Sequence, residues 1–336
     1  MRYDAITIGS AVRDIFLFLD PKDAPVIKNP QKDARREKLI ALEQGAKIDA
    51  LHSERTIGGG GANAAVTFSR QGLNTAAVVA VGDDEDGAEV RRSFKSEGID
   101  TRFVQAGPKQ ATGFSAIIVA GAKIRDRAII TERGASNINN FPPKAPGITN
   151  AAWYYTSALS GNGWKKELTD ISGAVKKHNI NWAWNPGSAQ LSAGLKTLAP
   201  FMKACTVFNV NRDEALELTG AKNDIKALLS ALLKAGPKSA IISDGINGVY
   251  YADAGQMLVM RADKSIKALE PTGAGDAFCS GFVAGLIASG DVVSALDAGI
   301  TNSESVICSV GAQKGILTKA ELSKSIKKRN HKLSHV

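Results

Sequence analysis

Cysteine is nearly missing from this chain of 336 residues. The three present, Cys205, Cys279 and Cys308, are odd in number and widely spaced, which excludes a CxxC pair and a disulfide framework. Such usage fits a reducing, cytoplasmic setting. Histidine is equally scarce: none of His52, His178, His331 and His335 has Cys or Asp partners at zinc-site spacing. Long hydrophobic runs are absent. The longest uncharged apolar stretch, Ala277 to Gly290, is too short and glycine-rich to span a bilayer, and the residues after Met1 lack the apolar core of a secretion signal. No membrane partner is expected. Aromatic side chains do not interleave with the basic tail (Lys324, Lys327, Lys328, Arg329 and Lys332). Despite a net charge of +9, that tail reads as a solvated terminal helix, and no nucleic-acid partner is expected. Two nucleotide signatures are missing as well. No GK[ST] follows a glycine loop, and no GxGxxG follows the first strand, which argues against a dinucleotide-dependent dehydrogenase.

What is present describes a globular α/β chain. Apolar residues make up 44% and charged residues 22%. Ala5 to Gly9 reads as a buried strand, with Asp14 just beyond it. Pro21 to Arg55 is polar and charge-rich, an excursion that reads as a lid, an extra hairpin or an unstructured loop, with a short helix over Lys38–Leu42. Four glycines, Gly58 to Gly61, then lead into a helix that Gly72 stops, with Asn63 able to donate and accept. Phe114–Val119 and Arg127–Thr131 read as strands of a small separate sheet. From Ala151 onward strands and helices alternate, which predicts a parallel sheet covered on both faces. In such sheets ligands bind at the carboxyl ends of the strands, where Asn185, Asn211, Ser243 and Gly245 fall.

The most telling stretch is Glu270-Pro-Thr-Gly-Ala-Gly-Asp-Ala-Phe278. Its glycine turn runs straight into an apolar helix, whose first N–H groups and positive dipole end form an anion site. Asp276 would repel an anion. It suits removal of a proton from a hydroxyl that attacks phosphorus, although an aspartate there is also an ordinary helix cap.

GGGGANAA at 58–65, PTGAGDAF at 271–278 and Asn211-Arg-Asp-Glu214 ahead of Leu218-Thr-Gly220 together resemble the ribokinase-like, or PfkB-type, carbohydrate and nucleoside kinases. The resemblance runs from Ala5 to about Gly315. It implies one domain spanning 1–336, with a three-layer α/β/α core and a small β-sheet lid from about 11–57 and 98–135. It implies phosphotransfer from ATP to an alcohol, the hydroxymethyl group of a sugar. The same fold also hosts nucleoside kinases, for which Phe16, Phe18 and Phe114 are candidate base contacts, and non-catalytic ligand-binding members. By the same resemblance Asp276 is the general base and Gly273, Ala274 and Gly275 form the anion hole. Asp14, Gly59, Gly60 and Asn63 grip the substrate. Asn185, Asn211, Glu214, Ser243, Gly245, Gly248 and Asn302 lie along the nucleotide, with Glu214 reaching Mg2+ through water. Glu270 stands where many members carry an aspartate, which makes it a candidate ligand for K+. The family also allows a homodimer through the lid. The chain departs from the type member in having Gly60 in place of a lysine and no acid within Ser157–Asn162.

Overall fold

The computed structural model describes residues 2–31, 37–107, 109–120, 126–138 and 141–336. Its frame is one large sheet of ten strands. In spatial order these are Lys332–His335, Met257–Arg261, Val249–Ala252, Ser239–Ser243, Val207–Asn211, Asn181–Trp184, Ala151–Thr156, Tyr3–Ile8, Thr75–Gly82 and Val104–Gly107. Pairing is parallel from Val104–Gly107 as far as Ser239–Ser243, and antiparallel for the three strands beyond. Parallel strands need crossovers, and helices supply most of them here. A strand buried on both faces must be apolar on both. Thr75–Gly82 is buried at every position: Ala76 and Val78 face one layer, and Ala77, Val79 and Val81 face the other.

The helices divide by face. Trp164–His178, Leu195–Met202, Arg212–Thr219 and Ile225–Lys234 bury Leu168, Leu198, Leu218 and Leu229 against one side. Gly60–Arg70, Ala274–Ser289 and Val292–Val306 bury Phe68, Phe282 and Leu296 against the other. This is the expected three-layer α/β/α architecture.

A four-stranded sheet stands apart, in the order His52–Gly58, Val12–Phe18, Thr112–Ala120, Asp126–Gly134. It draws on the stretches anticipated for a lid. Phe16, Phe18, Ile117 and Val119 pack beneath it against Val310 of the main body. Within 21–55 the chain forms a hairpin, Val26–Lys28 paired with Lys38–Ile40. The helix expected over Lys38–Leu42 is therefore a strand. Its three residues have a partner across the hairpin, and tertiary pairing outweighs local propensity in so short a piece. The middle of that excursion, 32–36, lies outside the described residues, as does 121–125.

The basic tail is a second correction. Its helix ends at Ile326, and Lys332–His335 adds an edge strand to the sheet. His331 secures this return. Its ring lies between Asp297 and Glu304, and its side chain is 5% exposed. Burial alone would lower the pKa of His331. Hydrogen bonds and charges of Asp297 and Glu304 outweigh it and raise the value to about 9. A raised histidine stabilises the fold fully below its unfolded value of about 6.5, and that contribution fades as pH climbs through about 9. The unfolding free energy should therefore fall by about 2 kcal/mol between pH 6.5 and 9. His331→Leu should flatten that slope in denaturant titrations. An unchanged slope in the variant would refute the assignment.

Candidate functional site

Two helices that begin on glycine turns meet at the carboxyl ends of the central strands. The first, Gly60–Arg70, starts after Gly59 and carries Asn63 one turn in. The second, Ala274–Ser289, starts after Gly273 and carries Asp276 in its first turn. Gly273 has φ 80°, a left-handed conformation that a side chain resists.

Asn63 Nδ2 donates to Asp276 Oδ2 at 2.9 Å. Gln313 Nε2 donates to Asn63 Oδ1 at 3.1 Å, so the Asn63 amide can present only its NH2 to the carboxylate. Beneath this bond a second path joins the helices. Thr67 Oγ1 donates to Asn63 O at 3.1 Å, Ser280 Oγ lies 2.9 Å from Thr67 Oγ1, and Ser280 Oγ donates to Asp276 O at 2.6 Å. The floor is dry: Tyr155 and Cys279 are fully buried beside Asp276, and burial pushes the Cys279 thiol up to about 12. The same desolvation raises the Asp276 carboxyl above its ordinary range, opposed by the Asn63 hydrogen bond.

Asp14 arrives from the small sheet. It is 5% exposed, and burial raises its pKa from 3.8 to about 6. A hydrogen bond from Ser115 pulls the value down, while the charges of Asp276 and Glu270 push it up. The glycine loop makes room for these acids. A Cβ at Gly58 would overlap the Asp14 carboxylate, and one at Gly60 would collide with Ser157 and stand 3.2 Å from Asp276 Oδ1. Asp14, Asn63, Asp276 and the Gly58–Gly60 loop thus converge on one place.

The turn ahead of Asp276 differs from expectation in one donor. Ala274 N–H is turned inward to Pro271 O at 3.2 Å. Among the described residues no acceptor takes the N–H of Gly273 or Gly275. A Cβ on Gly275 would meet nothing within 4 Å, so open space lies over it. Of the three residues expected to form an anion hole, Gly273 and Gly275 keep N–H groups without an acceptor among the described residues.

A second group forms along neighbouring strand ends. Asn211 and Ser243 are partners in register. Asn211 Oδ1 accepts from Glu214 N at 2.9 Å, and Glu214 Oε2 accepts from Asn211 N at 2.8 Å. The N-x-x-E motif is thus a capping box, which fixes the Glu214 carboxylate at the helix start. Burial raises the pKa of Glu214. Asn185 Nδ2 donates to Asn209 O at 2.9 Å. Gly245 and Gly248 bracket a single 3-10 turn after Ser243. Asn302 belongs elsewhere. It is buried, its Nδ2 donates to Ala277 O of the neighbouring helix and its Oδ1 accepts from Leu317 N of the loop before the last helix, so its amide is spent on backbone contacts.

Several residues escaped sequence reasoning. Ser157, 1% exposed at the end of Ala151–Thr156, has a hydroxyl without a partner among the described residues. Asn209 Oδ1 is also buried and unpartnered there. Buried orphans of this kind mark places where a ligand or water completes the bonding. An asparagine inside the apolar strand VFNVN was a legible signal. Ser157 stands just past the carboxyl end of a parallel strand, a second legible signal, whereas Ser115, Gln313 and Arg127 gave none, because each is brought in by the fold from far along the chain.

A group of three or more His, Cys, Asp or Glu side chains able to hold a metal ion is absent among the described residues. No helix among them is long and apolar enough to cross a membrane.

Comparison with known proteins bears on the family and the fold. The family profile described as pfkB family carbohydrate kinase matches residues 33–319. A ribokinase of Haemophilus influenzae is 26% identical over 288 residues, covering 82% of this chain and 89% of its own. Among solved structures, Arabidopsis thaliana ribokinase complexed with ribose and ATP superposes with a TM-score of 0.79 at 18% identity, covering 97% of this chain and 99% of the other. A Burkholderia thailandensis nucleoside kinase in complex with inosine gives a TM-score of 0.75 at 17% identity, covering 97% and 98%.

The state of Asp14 carries a stability consequence. Between its unfolded value near 3.8 and its folded value of about 6, the native protein binds a proton that the unfolded chain does not. Above pH 6 ionisation therefore costs the native state, by about 1–3 kcal/mol. Asp14→Asn should raise the unfolding free energy at pH 7.5 by that order. A loss of stability at that pH would contradict the reading.

Proposed function

The chain belongs to the pfkB family of carbohydrate kinases, and from that premise we propose that it transfers the γ-phosphoryl group of ATP to a hydroxymethyl group of a sugar. The observation that carries the reading is the Asp276 carboxylate, raised in pKa, oriented by Asn63 and set one turn into a helix whose glycine turn leaves N–H groups free.

Phosphoryl transfer asks a protein mainly for positioning and charge stabilisation. Asp14 accepts hydrogen bonds from sugar hydroxyls and fixes the acceptor beside Asp276. The Asn63 NH2 occupies Oδ2 of Asp276, which leaves Oδ1 to take the proton as the acceptor oxygen attacks phosphorus. A carboxylate with a raised pKa is a better base than an exposed one. Developing charge on the transferred group meets the N–H groups of Gly273 and Gly275 at the positive end of the helix. The small sheet is the lid, since it brings Asp14 over the site and keeps water out.

The nucleotide lies along Asn185, Asn211, Ser243 and the Gly245–Gly248 turn. Mg2+ usually keeps several waters and binds phosphates with one or two carboxylates. Glu214, with one oxygen spent on the cap, is the carboxylate placed to hold its waters.

A sugar is favoured over a nucleoside by the three aromatic side chains that could cover a base. Phe16 and Phe18 are buried in packing under the lid. Phe114 is in register with Arg13, while Ser115 is in register with Asp14, so Phe114 sits on the opposite face of the sheet from Asp14.

Two measurements check this. Asp276→Asn should lower kcat by about 10²–10⁴-fold while ATP binding by calorimetry is retained; near-normal turnover would remove Asp276 as the base. Phosphate transfer from ATP across a panel of sugars, sugar phosphates and nucleosides should be fastest with a sugar. Preference for a nucleoside would assign the nucleoside kinase activity, and no turnover with any acceptor would count against both.

A further inference from the structure

Glu270 opens the loop that leads to Asp276, and its side chain is 3% exposed. Its Oε1 accepts from Thr272 N at 2.9 Å and from Thr272 Oγ1 at 2.5 Å. The same oxygen lies 3.2 Å from Nε of Arg127. Arg127 belongs to the lid strand Asp126–Gly134, so this ion pair crosses from the lid to the anion loop. Its side chain is 22% exposed. Among the described residues, Oε2 of Glu270 is buried without a hydrogen-bond partner.

A carboxylate so far from water needs a counter-charge. A dissociable monovalent cation would have to bind through a shell of oxygens, and here a guanidinium stands at Oε1 already. The counter-charge that K+ would supply to Glu270 is therefore already present, 3.2 Å from Oε1.

We propose that Arg127 takes the place of a monovalent cation at Glu270, so that the charge holding the 270–275 loop is carried by the lid itself. Arg127 is a positioning residue. It acts through Glu270 and Thr272 on the turn that presents Gly273, Gly275 and Asp276. Because the charge arrives on a lid strand, the loop is held in its working shape when the lid is seated. Two consequences follow from this arrangement. The protein is indifferent to the identity of the monovalent cation, and loss of Arg127 creates a cation requirement where none existed. The kinetic consequence rests on the kinase reading, whereas the thermal one does not.

The test uses the full chain as wild type, Arg127→Met and Arg127→Lys, in K+ or tetramethylammonium chloride at equal ionic strength. Thermal unfolding midpoints and, where turnover is found, kcat and KM are compared. The wild type and Arg127→Lys should show the same midpoint and kcat in both salts. Arg127→Met should have a kcat lower by roughly tenfold or more in tetramethylammonium, with a smaller change in KM for the acceptor. K+ should restore part of that kcat and raise its midpoint. Activation or stabilisation of the wild type by K+ would overturn the proposal, and so would Arg127→Met behaving as wild type in both salts. Should Arg127→Met fail to fold, the wild type and Arg127→Lys still decide, since K+ dependence in either contradicts it. If no acceptor is phosphorylated, the kinase reading fails, while the midpoints still report on the ion pair.

Discussion

The hydrogen bond from Asn63 to Asp276 is the contact on which the rest of the site depends. It joins two helices separated by most of the chain, and it does so at the first turn of each. The buried path through Thr67 and Ser280 fixes the same two helices from below. Their relative position is thus set by polar bonds as well as by the Phe68 and Phe282 packing that any α/β layer would supply. Charge-assisted bonds to a carboxylate are about twice as strong as neutral ones, and this one is part-buried. The large sheet provides strand ends at one edge, the glycine turns let backbone approach there, and the Asn63–Asp276 bond sets the spacing between the two helix starts.

Three acids crowd this region, and each is made tolerable differently. Asp14 is burdened by burial and by the charges of Asp276 and Glu270, relieved in part by Ser115. Asp276 has Asn63. Glu270 has Thr272 and the guanidinium of Arg127. Like charges gathered in a dry cleft destabilise a free protein, and sites of this kind persist because a ligand resolves them. A hydroxylated substrate would donate to Asp14 and give up a proton to Asp276. Counter-charge on the lid would also make seating of the lid and ordering of the anion loop one event.

Much of the architecture was legible because the constraints are local. Strand–helix alternation from Ala151 onward gave the parallel sheet, in which helix Ile225–Lys234 leads into strand Ser239–Ser243. Glycine runs marked both turns, since only glycine tolerates φ 80° at residue 273 or the closeness of residue 58 to Asp14. What failed was non-local. Lys38–Ile40 and Lys332–His335 are strands only because a partner strand lies alongside. The inward turn of the Ala274 N–H to Pro271 O and the bonds of Asn302 to Ala277 O and Leu317 N are contacts with backbone atoms, which a pattern of side chains does not reveal. Asn211 and Glu214 were legible as a motif, yet their mutual capping shows that a functional signature and a local structural device can be the same atoms.

The central claim is that Asn63 orients and tunes a raised Asp276 carboxylate. Direct titration of the Asp276 side-chain carbon by 13C NMR, in wild type and Asn63→Ala, tests it most directly. The account predicts a wild-type pKa above the ordinary carboxylate range and a higher one in the variant, because loss of the donor destabilises the ionised form. A titration near the ordinary value of about 3.9 in both proteins, or a shift downward in the variant, would contradict it.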